Sequence, residues 1–155
     1  MSEINRNFTD SNEYSDGSFV GIFHENHTWN DNEYFKLENH LYEQCEKYKG
    51  RSTVPREVFW PTMRIYSFLS WCIGCHLDSN DGFNLTGINR DQLYQRRERL
   101  QLVFEGFFKG EMPNKNTSAT SIGQVAANKW LLSPAKSAGS DSRSAPLHAS
   151  RKARR

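Results

Sequence analysis

The longest apolar run in the chain is Pro61 to Leu77, and it is apolar nearly all the way round a helix. At about 100° per residue, Ile65, Tyr66, Leu69, Cys72, Ile73 and His76 share one face. Ser67, Ser70 and Gly74 cluster on a second, and Phe68 and Trp71 fill part of what remains. Arg64 is the only full charge. This pattern predicts a central helix, with a small-residue stripe that lets one neighbour approach and a large-residue face that packs another. Two amphipathic helices are predicted beside it. In the first, about 31–49, Tyr34, Leu37, Leu41, Cys45 and Tyr48 recur at spacings of three and four. It opens on a capping box, Asn30 to Glu33, with Trp29 as staple, and stops at Gly50. In the second, about 90–109, Asn89 to Gln92 is another capping box, and Leu93, Leu100, Phe104, Phe107 and Phe108 form the apolar stripe. Gly110 and Pro113 end it.

Two stretches are less regular. Pro61 is expected to break or kink the chain, leaving Val54 to Trp60 as separate turns. Ser18 to Phe23 is short, β-branched and aromatic, which predicts a strand or an extended arm laid on the helices. The fold class is therefore mainly α: a small three- to four-helix bundle with an N-terminal extended arm and a disordered basic C-terminal tail.

Composition draws the boundaries. Residues 1–17 are rich in Asn, Ser, Asp and Glu and are expected to be flexible. Residues 18–113 form the helical domain. Residues 1–113 hold 12 Lys/Arg against 17 Asp/Glu, a net of −5, whereas residues 114–155 hold 8 Lys/Arg and one Asp, a net of +7. Of the 20 aromatic residues, 19 precede position 114, so the tail cannot bury enough area to offset its ordering entropy. At most, a brief helix is expected around Gln124 to Leu132. Three cysteines, an odd number, suit a reducing compartment, and no charged start leads into an apolar stretch at the N-terminus. No apolar run reaches the length of a membrane span. The expected location is the cytoplasm.

Several residues invite chemistry. Cys72-Ile73-Gly74-Cys75-His76 has the spacing of haem attachment or of a redox pair, but it sits at the far end of a helical run, where the dipole disfavours a thiolate. Cys72 and Cys75 with His24 and His27 supply a candidate zinc ligand set. Asp78 to Gly82 falls short of a calcium loop, because its glycine is fifth and no glutamate closes it. His76 beside Asp78 is the one pair that can be drawn as a general base and its orienter. Glu38 and Arg97 each interrupt an apolar stripe, which predicts a partly buried ion pair between the two helices, the alternative being two side chains that reach back to water.

Three segments resemble a family of bacterial immunity proteins from polymorphic toxin systems: Pro55-Arg-Glu57, Cys75 to Phe83, and Arg97 to Pro113, with support from Tyr34 to Tyr48. The resemblance spans about residues 18–113 and none of the tail. It implies a small, mainly helical cytosolic protein with no cofactor and no catalytic residues of its own. Such a protein binds the toxin domain encoded by the adjacent gene and covers its active site or substrate surface. The acidic body suits a basic toxin groove, so Glu43, Glu46, Asp78 and Asp81 are candidate contacts, with Leu102 as an apolar anchor. Two rival readings follow from the residues alone. One is a zinc protein using Cys72 and Cys75; the other is a nucleic-acid binder acting through the basic tail, whose contacts would be weak and salt-sensitive.

Overall fold

The computed structural model describes residues 2–115 and is mainly helical, as the periodicity predicts. Five helices follow one another: α1 (Glu3–Arg6), α2 (Phe19–Asn26), α3 (Asp31–Lys47), α4 (Arg56–Leu77) and α5 (Arg90–Lys109). The expectations for the basic tail, its disorder, its short helix and its nucleic-acid contacts, lie outside the described residues from 116 onward.

The caps of α3 and α5 fall where the sequence puts them. The Asn30 side chain accepts from the Glu33 N–H at 3.2 Å. At α5 both halves of the box form: Asn89 accepts from the Gln92 N–H at 2.9 Å, and Gln92 accepts from the Asn89 N–H at 3.1 Å. Gly110, at φ 77°, ends α5 in the left-handed region.

α5 packs on both α3 and α4, and α1 touches the same two helices. Cross-contacts give the directions. Asp31 meets Arg96, Glu38 meets Arg99 and Tyr42 meets Pro113, so α3 and α5 run parallel. Tyr66 stacks on Phe104 and Phe59 meets Phe108 edge-on, so α4 runs against α5. The core holds Tyr34, Leu37 and Leu41 of α3, Ile65, Leu69 and Ile73 of α4, and Leu93, Leu100, Val103, Phe104 and Phe107 of α5. Phe19 closes it from α2, edge-on to Trp29 at 5.0 Å and to Tyr34 at 5.3 Å.

The structure corrects four expectations. Ser18 to Phe23 is no strand or arm. Ser18 caps α2 by accepting from the Gly21 N–H at 3.0 Å, and Phe19, Val20 and Phe23 are buried at helical spacing. A run of six apolar and small residues is too short for its period to show. The extended backbone lies further on, where Trp29 N–H bonds to Thr86 O at 2.9 Å and Thr86 N–H to His27 O at 2.8 Å. α2 comes so close to the preceding loop that a Cβ on Gly21 would sit 2.4 Å from the Ser15 carbonyl oxygen.

The N-terminal 17 residues also differ from the flexible segment expected. Ile4 is buried, and the buried Asn7 side chain donates to Glu3 O at 2.8 Å and accepts from the Val20 N–H at 2.9 Å. Arg6 bonds to Glu33 at 2.8 Å and to Gly17 O at 2.6 Å. Polar composition here marks a hydrogen-bonded clasp.

Pro61 does not break α4. The bond it lacks is the one to the Glu57 carbonyl, in an exposed first turn where solvent can serve. Thr62 ties the same region by donating to Val58 O at 2.7 Å. Finally, α4 is not enclosed: it packs on α5 and α1, and one of its faces is covered by no other element among the described residues.

Candidate functional site

That uncovered face carries Trp60, Arg64, Ser67, Trp71 and Gly74, one residue per turn along α4. Trp71 is 75% exposed and Trp60 45%. Among the described residues nothing lies within 4 Å of where a Gly74 Cβ would stand, and none of them packs on the small-residue stripe. Tryptophans so exposed cost solvation without contributing to the core.

Three segments line one flank of this face in order. Phe8 and Ser11, from the loop between α1 and α2, border a shallow apolar depression shared with Arg56, Glu57, Trp60 and Pro61. Thr9 lies beside Arg64 and Phe68 one to two turns on. His24, near the end of α2, packs its ring on Phe68 at 5.7 Å between centroids. At the C-terminal end, Asp81 and Trp71 stand near the Cys75 thiol, which the Asp81 carboxylate pushes up. Asp81 accepts from the Phe83 N–H at 2.8 Å, the bond that does most to hold its carboxyl below the usual range. The other flank is α5.

The candidate contacts do not form one patch. Asp78 and Asp81 are exposed on the turn that follows α4, close to Trp71. Glu43 and Glu46 are also exposed, but lie in the later turns of α3, about 20 Å along the axis from the end where α4 finishes. They are taken up locally, Glu43 by His40 at 3.3 Å and Glu46 by Lys49 at 3.2 Å. Leu102 is half-buried. The exposed aromatic residues that sequence reading passed over are Trp60 and Trp71. The signal was present, because both fall on the polar side of the α4 wheel with Arg64 and Ser67, and that side was assigned to a neighbouring helix.

The cysteine and histidine readings resolve locally. Among the described residues no group of three or more His, Cys, Asp and Glu is placed to hold a metal ion. Burial pushes the Cys72 thiol up, and the Asp81 carboxylate pushes Cys75 up. His24 is occupied by Glu25 at 2.7 Å, and His27 by the ring of Phe83. His76 Nδ1 accepts from the Leu85 N–H at 3.0 Å, and Asp78 accepts from the Asn80 N–H at 2.9 Å. Each of the two fastens the turn, and no bond joins them as base and orienter.

The buried ion pair exists with a different partner. Glu38 pairs with Arg99 at 2.6 Å, both side chains 8% exposed, while Arg97 is on the surface. The reason is the true centre of the α5 stripe. Val103 and Gly106 are buried with Leu100 and Phe107, which swings the buried face roughly 60° toward Arg96 and Arg99. Gly106 carries no side chain to announce itself. It faces inward because the chain beyond α5 folds back on it, with Glu111 O and Pro113 Cδ each 2.8 Å from its missing Cβ.

A second pair secures the start of α3. Asp31 accepts from Arg96 Nε at 2.7 Å and Nη2 at 2.8 Å, and from Trp29 Nε1 at 2.8 Å. The Arg96 bond, with that of Trp29, holds the Asp31 carboxyl below its usual range against the opposing effect of burial. A depressed folded value means that the unfolded chain takes up the proton first as pH falls. The stabilisation is then complete above about pH 4 and lost as pH drops through the folded value. Because Asp31 is 46% exposed, its share should be only about 0.5–1 kcal/mol. Asp31→Asn is expected to lower stability by that amount at pH 7 and by much less at pH 2–3, as read from urea unfolding at the two pH values. An equal loss at both would locate the effect elsewhere.

Among the described residues, no helix is long and apolar enough to cross a membrane. No curated protein and no solved structure gave a significant match to the chain. A family model described as Immunity protein 41 matches residues 6–109, about two-thirds of the chain. The match begins at the last residue of α1, ahead of the resemblance seen from residue 18, and ends with α5, so it takes in Arg6 and Asn7 of the N-terminal clasp and the whole of α2 to α5. The chain therefore belongs to the Immunity protein 41 family.

Proposed function

We propose that this protein neutralises a toxin domain by laying the outer face of α4 over the toxin's active or substrate-binding surface. The observation that carries the proposal is Trp71, 75% exposed toward the C-terminal end of a helix face that no other element covers among the described residues, with Trp60 about three turns away. Tryptophan is the residue type most enriched where binding energy concentrates, and exposed large side chains of this kind mark interaction sites. Family membership supports a toxin as the partner. The free, raised thiols of Cys72 and Cys75 fit a protein working in a reducing cytoplasm. Inhibition by coverage needs no group of this chain to react.

The test is co-expression with the toxin domain encoded by the adjacent gene. Cells carrying both should grow, and the two proteins should co-purify one to one. Cell death despite soluble, folded protein at matching levels would end the proposal.

A further inference from the structure

The flank of α4 has a charge pattern that says what kind of surface the tryptophan face fits. From Asn7 to Phe35 the chain has no lysine or arginine and has six Asp/Glu. Two of the six are used internally: Asp31 by Arg96, and Glu33 by Arg6 and Lys36. The other four, Asp10, Glu13, Asp16 and Glu25, are exposed. Of these only Glu25 is in an ion pair, with the neighbouring His24. Asp10 sits between Thr9 and Ser11, the residues that border Arg64 and Trp60. Asp16 and Glu25 converge on Tyr14, whose hydroxyl is pushed up chiefly by burial and further by those two charges. Asp78 and Asp81 continue the flank beyond Trp71. Against these, α4 itself brings only Arg56 and Arg64, with Glu57 between them. Among the described residues the tryptophans therefore stand beside an exposed acidic rim in which Glu25 alone is in an ion pair.

Resting on the binding role proposed above, we infer that the tryptophan face of α4 and the acidic flank from Asp10 to Asp81 form one docking surface for a toxin domain whose contacting surface is lysine- and arginine-rich around an apolar slot. The two parts act on different steps. Exposed carboxylates steer encounter and speed association, and salt screens them over about 8–10 Å. The tryptophans are desolvated only once the complex has formed, so they set its lifetime.

The test measures association and dissociation rates of the full chain with the toxin domain from the adjacent gene, by stopped flow or surface binding. For the unsubstituted chain, the association rate constant should fall about tenfold or more as NaCl rises from about 25 to about 250 mM, with little change in dissociation. A triple variant, Asp10→Asn, Glu13→Gln and Asp16→Asn, should associate at least about threefold more slowly at low salt, with its melting temperature unchanged, since none of the three is in an ion pair. Tight binding with salt-insensitive association and an unaffected triple variant would overturn the basic partner while leaving the inhibitory role intact. A loss confined to dissociation would also overturn it. Absence of any binding by the unsubstituted chain would remove the inhibitory role, and this inference with it.

Discussion

Trp71→Ala should weaken binding of the toxin domain by roughly 30- to 1,000-fold, the ~2–4 kcal/mol typical of an anchoring aromatic residue at the centre of an interface. The expectation is this large because Trp71 contributes little to the fold. Three-quarters of its surface is already in water, and it is no part of the buried core of the described residues. Truncation should thus leave the unfolding free energy read from urea within about 0.5 kcal/mol of the parent, as for other surface changes. Trp29 supplies the contrast. It is 4% exposed, packed on Phe19, Phe23 and Tyr34, and its replacement by alanine should unfold the protein before any binding can be measured. Trp60→Ala should act as Trp71→Ala does, more weakly, because part of its ring already rests on the Phe8 side of the shallow depression. The readings are affinity by calorimetry and protection of toxin-expressing cells. Full protection and unchanged affinity in Trp71→Ala would move the binding surface off α4. A variant on the α3 end, Glu43→Gln with Glu46→Gln, would then be the next to measure, since those carboxylates lie at the opposite end of the bundle.

How much of this was legible in the chain depends on which signal carried it. The caps of α3 and α5 were readable because Asn30 and Asn89 act on residues three away, and local chemistry needs no knowledge of the partner helix. The core stripe of α3 was readable for the same reason. Three features depended on tertiary context instead. Arg6 and Asn7 look like surface residues until Glu33, Gly17 and Val20 are brought to them. Gly106 shows its inward orientation only when residues 111–113 fold back. And an all-round apolar helix has two solutions, full burial or one face kept for a partner outside the chain. The apolar run alone does not separate these; Trp60 and Trp71 sharing a side with Arg64 and Ser67 is the sign of the second, the solution proposed above for α4.

The same tertiary context gives the buried pair its expected effect on stability. Arg99→Ala or Glu38→Ala should cost about 3–5 kcal/mol, which is a large share of the ~5–15 kcal/mol that holds a domain of this size together. Arg99 is a hub. Its Nη2 donates to Glu38 at 2.6 Å and to the Tyr42 hydroxyl at 3.0 Å, and its Nη1 donates to Asn114 O at 3.2 Å. Tyr42 in turn donates to Pro113 O at 2.7 Å. Removing the guanidinium would strand the Glu38 carboxylate beside the buried Tyr34 ring, whose hydroxyl is already pushed up by burial and by the Glu38 charge. It would also loosen the return of residues 111–114 over Gly106. Arg99→Lys keeps the charge but not the fork, so an intermediate loss of about 1–3 kcal/mol is expected. The double variant Glu38→Leu with Arg99→Met should recover most of the stability, because both charges leave together and their volume stays. Arg97→Ala, on the surface, should change the unfolding free energy read from urea by no more than about 0.5 kcal/mol. The decisive quantity is the coupling in the double-mutant cycle, read from urea unfolding at constant m-value. If the two single losses simply add in the double variant, the charges do not depend on each other, and packing around Leu41 and Val103 rather than the ion pair sets the register of α3 on α5.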